Sequence, residues 1–220
     1  MSLYFRQLSL GPMDNFVYLF GDAEARQAAV VDPAWDAAAI LKQLEEDGFR
    51  LTHIILSHGH YDHINALQEL AEKTGATVCA QAIELEKLIP SGAGGLAIPR
   101  SSLKKTDTSG SVAIGEVTAE MIHTPGHAPG SQCILIKSAG VLFTGDTLFM
   151  GTCGRSDLPL SSPEQLFHSL QRIKKLDDST MIYPGHNYGA TPCNSLKNEK
   201  KTNPFLMAAT LEQFLQLVSR

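Results

Sequence analysis

Apolar positions in the first part of the chain fall into short runs separated by glycine and proline. Tyr4 to Leu10, Asn15 to Phe20 and Gln27 to Val31 are rich in aromatic and β-branched residues, and Gly11-Pro12 and Gly21-Asp22 punctuate them as the turns of a strand meander would. The period then changes. Between Trp35 and Asp47 the apolar Ala37, Ile40, Leu41 and Leu44 recur at helical spacing and stop near Gly48, while Leu51 to Leu56 is a compact apolar run of strand length. A helix from Asp62 to about Lys73, a strand at Ala76 to Ala80 and a helix at Ala82 to Leu88 continue the alternation.

From Pro90 to Thr108 the composition shifts to Gly, Ser, Pro and Lys, which predicts an exposed irregular segment. Strand-like runs return at Ser111 to Ile114, Val117 to Ile122, Gln132 to Ile136 and Val141 to Thr144, before a helix from Pro163 to Lys175 and a last strand at Thr180 to Tyr183. The stretch from Asn203 to Arg220, with Phe205, Leu206, Ala209, Leu211, Phe214, Leu215 and Leu217, reads as one amphipathic helix. Two successive runs of strands then helices predict two β-sheets sandwiched between outer helices rather than a simple parallel sheet.

Composition narrows the function. A chain of 220 residues, 43% of them apolar, suits one globular domain spanning residues 1–220. Lys and Arg number 18 against 23 Asp and Glu, and the resulting net charge of −5 lacks the basic excess that nucleic acid would demand. No apolar run is long enough to cross a bilayer, and Met1 to Phe20 lacks the form of a secretory signal. A cytoplasmic protein with no membrane partner is therefore expected. Cys79, Cys133, Cys153 and Cys193 contain no C-x-x-C pair and read as reduced, mostly buried thiols.

The chemistry concentrates in His58-Gly-His-Tyr-Asp-His63, directly after the apolar Ile54 to Leu56. Three imidazoles and a carboxylate at the end of a strand have no packing rationale and suit a metal ion. In extended backbone, residues two apart project to the same side, so His58 and His60 can share one ion, while the turn into the next helix aims Asp62 and His63 at a neighbouring point. Three later loops offer further ligands. His127 sits in a Pro- and Gly-rich turn, and His186 follows a strand and a Pro-Gly turn. Asp146 emerges from the apolar Leu142-Phe-Thr-Gly145, where an uncompensated charge would be unfavourable.

If Asp146 bridges, the donors divide into His58, His60 and His127 on one ion and Asp62, His63 and His186 on the other. Imidazole and carboxylate without thiolate suit two divalent ions, zinc first, with iron or manganese as alternatives. Such a pair can bring a shared water to hydroxide near neutral pH. His53, His123 and His168 read as structural. No G-x-S-x-G is present to suggest a serine nucleophile.

The H-x-H-x-D-H pattern of His58, His60, Asp62 and His63, with the later His127, Asp146 and His186, resembles the signature of the metallo-β-lactamase superfamily. Thr124-Pro-Gly-His127, Thr144-Gly-Asp-Thr147, Gly154-Arg-Ser-Asp157, Tyr183-Pro-Gly-His-Asn-Tyr188 and Asn203-Pro-Phe-Leu206 look like segments of its glyoxalase II-like branch. The resemblance covers nearly the whole chain. It implies an α+β fold, a four-layer αββα sandwich with a dinuclear site at one edge. The implied activity is hydrolysis of acyl thioesters such as S-lactoylglutathione by a metal-bridging hydroxide, with Asp62 and Asp146 as catalytic groups.

The resemblance also implies substrate contacts and alternatives. Arg155 stands where the branch has a glutathione-binding lysine, and Tyr188 matches another glutathione-contacting position, so both are expected to bind a small-molecule thioester. Asp157 replaces a tyrosine of the branch. Only 34 residues follow His186, so the helical C-terminal region that brings further basic residues to glutathione is expected to be missing. Leu10-Gly-Pro-Met-Asp-Asn-Phe16 and Val31-Asp-Pro-Ala-Trp-Asp36 resemble short hydrolases of bacterial polyketide clusters that act on carrier-protein thioesters. Gly154-Arg-Ser-Asp157 also resembles persulfide dioxygenases, which use one iron held by residues matching His58, His127 and Asp146. Those enzymes have alanine where this chain has Tyr61.

Overall fold

The computed structural model describes residues 2–88, 97–106 and 110–219. β1 (Leu3–Leu10), β2 (Asn15–Asp22) and β3 (Gln27–Val31) form an antiparallel meander, as the turn residues between them predict. The chain then crosses through α1 (Ala37–Asp47) to β4 (Arg50–Ile55), which runs parallel to β3. The helices α2 (Tyr61–Ile64) and α3 (Leu67–Thr74) lead to β5 (Thr77–Gln81), and α4 (Ala82–Leu88) precedes β6 (Leu103–Thr106). Both later strands add parallel, giving a six-stranded sheet in sequential order.

The second sheet begins as a meander of β7 (Ser111–Ile114), β8 (Val117–His123), β9 (Gln132–Ile136) and β10 (Val141–Gly145). A short hairpin follows, β11 (Leu148–Phe149) with β12 (Thr152–Cys153), and then α5 (Pro163–Ile173). Next, β13 (Met181–Pro184) pairs parallel to β10, and β14 (Asn194–Ser195) covers its free edge. The helices α6 (Leu196–Thr202), α7 (Pro204–Met207) and α8 (Leu211–Val218) end the described chain.

The layers explain why β2 is apolar on both faces. Phe16, Tyr18 and Phe20 point between the sheets, where they meet Val31, Ile55, Ile134 and Phe143, while Val17 and Leu19 turn outward against Ile40 and Leu44 of α1 and Leu67 and Leu70 of α3. On the far side of the second sheet, Cys133, Leu142 and Ile182 pack against Leu166, Leu170 and Ile173 of α5 and Phe214 of α8. Helix, sheet, sheet and helix therefore stack as an αββα sandwich.

Three predicted elements are corrected. The helix expected from Asp62 to Lys73 is two helices, because Asn65 and Ala66 are tied to another loop: Asn65 Oδ1 accepts the N–H of Trp35, and the Ala66 N–H donates to Pro33 O at 3.1 Å. Within the segment read as irregular, Leu103–Thr106 is a strand. Leu103 packs into the core and Thr106 hydrogen-bonds Gln132, while the lysines between them face water, as on many edge strands. Residues 90–96 and 107–108 of that segment lie outside the described residues. The expected C-terminal helix begins with Pro204 in its first turn but stops at Met207: Ala208 turns to extended backbone, the Ala209 N–H donates to Gln213 Oε1 at 2.9 Å, and the helix restarts where Thr210 Oγ1 accepts the N–H of Gln213 at 3.3 Å.

The four cysteines are free, as read, with Cys79 and Cys133 buried. Among the described residues no helix is long and apolar enough to cross a membrane.

Candidate metal centre

The sequence-predicted donors lie on loops at the carboxyl ends of strands, at the edge where the two sheets meet. His58 to His63 follow β4 of the first sheet, whereas His127, Asp146 and His186 follow β8, β10 and β13 of the second. Backbone bonds close this corner: Phe16 N–H donates to Gly185 O at 2.8 Å and Asn187 N–H to Asp14 O at 2.9 Å. Gly185 is required by close approach, since a Cβ there would stand 2.4 Å from Asp146 Oδ1.

All seven predicted side chains come together. The donor atoms of His58, His60 and His127 lie within 4.8 Å of one another, and so do those of Asp62, His63 and His186. These are the two sets expected from the sequence. Asp146 touches both. Its Oδ2 lies 3.5 Å from His127 Nε2 and 3.4 Å from His186 Nε2, and its Oδ1 lies 3.4 Å from His63 Nε2.

The outward nitrogens decide which way the rings point. His127 Nδ1 donates to Arg155 O at 2.9 Å, His186 Nδ1 to Met13 O at 2.8 Å and His63 Nδ1 to Asp32 Oδ2 at 3.1 Å. Ser57 Oγ donates to Asp32 Oδ2 at 2.5 Å, which leaves it to accept from His58 Nδ1 at 2.9 Å. In the neutral rings the inward Nε2 atoms are then lone pairs.

These inward atoms crowd together. His63 Nε2 is 3.0 Å from His186 Nε2, while His60 Nδ1 is 3.1 Å from His58 Nε2 and 2.9 Å from His127 Nε2. Lone pairs at this spacing repel unless a proton or a cation lies among them. Asp146 Oδ1 is buried with no hydrogen-bond partner. A buried carboxylate oxygen facing converging imidazoles fits a cation and little else.

Electrostatics separate the two sets. Burial, reinforced by the neighbouring His63, holds His58 well below the ordinary imidazole range, and burial also lowers His60. Burial opposes a charge on His63 and His186 as well, but adjacent carboxylates prevail. Asp146 with Asp32 raises His63 well above the usual range, and Asp146 with Asp62 raises His186 to about 9. In turn these imidazoles hold Asp62 and Asp146 below the ordinary carboxylate range against the opposing effect of burial. The same carboxylates that would attract a cation to the second set favour protons there when no cation is bound.

Sequence reasoning missed the residues that orient the donors. Asp32, 2% exposed, accepts the Ser57 N–H at 2.6 Å in addition to Ser57 Oγ and His63 Nδ1. It emerges from the apolar end of β3 just as Asp146 emerges from β10, so the same test of a carboxylate after a buried strand would have found it. Asn15 donates through Nδ2 to Asp62 Oδ2 at 3.0 Å. The three histidines read as structural lie outside the donor sets, and the His123 ring donates through Nε2 to Pro129 O at 2.9 Å.

The two expected substrate contacts differ. The Tyr188 ring stacks on His186, with centroids 4.5 Å apart at 8°, and walls the site. Arg155, expected to grip a substrate carboxylate, is already paired. Its Nε and NH2 donate to the two oxygens of Asp157 at 2.9 and 2.8 Å, because Asp157 brings a carboxylate to the loop where tyrosine was expected.

Two stacked sheets flanked by helices, with His and Asp donors gathered at one edge, define a class of metal-dependent hydrolases. The metallo-beta-lactamase superfamily model matches residues 10–186, and the chain belongs to that family. Within it, the glyoxalase II-like branch is the relevant one. The chain is 32% identical over 207 residues to a probable polyketide biosynthesis zinc-dependent hydrolase, PksB, of Bacillus subtilis (strain 168), covering 94% of this chain and 88% of that protein. It is 37% identical over 175 residues to a hydroxyacylglutathione hydrolase of Fuscovulum blasticum, covering 80% of this chain and 63% of the relative. Among solved structures, ETHE1 from Myxococcus xanthus superposes with a TM-score of 0.84 at 30% identity, covering 99% of this chain and 90% of the other.

Proposed function

We propose that the protein hydrolyses small-molecule acyl thioesters in a two-metal reaction. One observation carries this reading: inward imidazole nitrogens from both sheets converge around Asp146, whose buried Oδ1 has no hydrogen-bond partner. The residues that would hold the ions are His58, His60 and His127 for one and Asp62, His63 and His186 for the other, with Asp146 shared. Two divalent ions, zinc first among them, would supply water activation near neutral pH and polarisation of the thioester carbonyl.

The chain's own groups place the reactants. Asp62 Oδ2, fixed by Asn15, and Asp146 Oδ2 are the acceptors that orient the attacking water. Tyr188 and Phe149, with ring centroids 5.6 Å apart, form an apolar wall for the thiol portion. The water oxygen bonds to the acyl carbon and the carbon–sulfur bond breaks. The products are a carboxylic acid and a thiol.

The test is parallel assay of one purified sample for thiol release from S-lactoylglutathione and for persulfide-dependent oxygen uptake, with metal stoichiometry measured alongside. Thiol release with two ions per chain is expected. Oxygen uptake with one iron per chain would instead assign a persulfide dioxygenase.

A second reading, hydrolysis of thioesters on a carrier protein's pantetheine arm, is favoured by the Arg155–Asp157 pair. The pantetheine stretch next to the thioester carries no carboxylates, unlike glutathione, so it needs no cation beside the thiol, and that guanidinium is engaged. The similarity to PksB over 94% of this chain supports it. A higher kcat/KM for an acyl-pantetheine than for S-lactoylglutathione is the expected result under this reading.

A further inference from the structure

Glu84 lies on α4, outside both donor sets, yet is only 3% exposed. A glutamate buried this far is unusual without a structural partner. Its Oε1 accepts the backbone N–H of Gly130 at 2.8 Å and meets Lys87 Nζ at 3.5 Å. The rest of the side chain fills a slot between two loops: a Cβ at Gly59 would come within 2.5 Å of Oε2, and one at Gly130 within 2.3 Å of Cγ.

Those two loops carry chemistry. Gly59 separates His58 from His60, and Gly130 lies three residues after His127 in the turn that presents it. One side chain is therefore wedged between the loops whose imidazoles, His60 and His127, meet at 2.9 Å. Asp62, His63 and His186 are held by other groups, namely Asn15, Asp32 and Met13 O.

We propose that Glu84 is a positioning residue for the His58, His60 and His127 site, setting the separation of the two loops and hence the affinity for that one ion. The inference rests on the two-ion reading above. Glu84→Ala empties the slot and leaves the Gly130 N–H without its acceptor. Glu84→Gln keeps a side-chain carbonyl at the same place.

The experiment titrates the metal-stripped protein with zinc against a chromophoric chelator and records the absorption bands of the cobalt-substituted form. The wild type is expected to take two ions. In Glu84→Ala one ion should bind as in wild type and the other about 10- to 100-fold more weakly, with loss of one set of cobalt bands, and Glu84→Gln should restore both. Gly59→Ala, which presses on Oε2 only when Glu84 is present, should also weaken one ion, but should add nothing to Glu84→Ala in the double variant.

Unchanged affinity for both ions in a folded Glu84→Ala protein would overturn the proposal, as would equal weakening of both. If Glu84→Ala does not fold, Gly59→Ala decides on the same criterion. A wild type that takes up fewer than two ions would instead bring down the two-ion reading itself.

Discussion

The indole N–H of Trp35 donates to Asn15 Oδ1 at 2.6 Å. Because the indole is a donor only, it fixes the Asn15 amide with its nitrogen turned toward Asp62, 3.0 Å away. A loop residue of the first sheet thus controls, through one intermediary, an oxygen in the candidate centre.

Asn15→Ala should lower kcat/KM for thioester hydrolysis by about 10- to 100-fold, since Asp62 loses the one side-chain donor outside the imidazoles that it has among the described residues. Trp35→Phe retains the ring and loses the donor, so a smaller decrease is expected. Steady-state kinetics on the two variants, with circular dichroism to confirm folding, checks the order.

Asp32 serves both donor sets, reaching His58 through Ser57 and His63 directly. Asp32→Asn should therefore weaken both ions, each by about 10- to 100-fold. Chelator competition distinguishes this from a change that affects one ion alone.

Stripping the metal should reverse the pH dependence of stability. In the stripped protein Asp146 and Asp62 overcome the effect of burial and raise His186 to about 9, above its ordinary value of 6.5. A raised pKa stabilises the fold fully below about pH 6.5, and that contribution is lost as pH rises through about 9. The melting temperature of the stripped protein should fall across this window. Zinc uptake should release protons at pH 7, and it should strengthen as pH rises because metal and proton compete for the same nitrogen. Calorimetry with and without zinc, and a weakly buffered titration, measure these effects.

Asp157→Asn removes the charge that engages Arg155. The freed guanidinium should lower KM for S-lactoylglutathione severalfold and leave kcat nearly unchanged, because both side chains of the pair are exposed, neither is a candidate metal donor, and His127 is held by the Arg155 backbone oxygen rather than its side chain. The same substitution should not alter KM for a neutral acyl-pantetheine.

The donor sets were legible because chemistry overrode packing at those positions. His58, His60, Asp62 and His63 sit where a buried strand ends, and no apolar pattern explains them. The two-sheet architecture was legible from the two successive runs of strands then helices, and β2, covered on both faces, shows what that arrangement buries. The breaks at Asn65 and at Ala208 to Thr210 were less visible, since the first depends on a partner loop far away in sequence and the second was masked by apolar residues continuing at helical spacing. Glu84 gave no sequence signal at all. A glutamate on an amphipathic helix ordinarily faces water, and only the approach of Gly59 and Gly130 shows otherwise.

Each candidate donor set draws side chains from both sheets, with His127 completing the first and His186 the second. An ion bound there acts as a rivet through two halves of the polypeptide that are far apart in sequence. Neither half alone carries a complete set, since the first supplies two donors to each and the second supplies the third, so tight metal capture should require correct docking of the two halves. Metal starvation would then expose the seam between them before either sheet unravels, and proteolysis should begin at that seam.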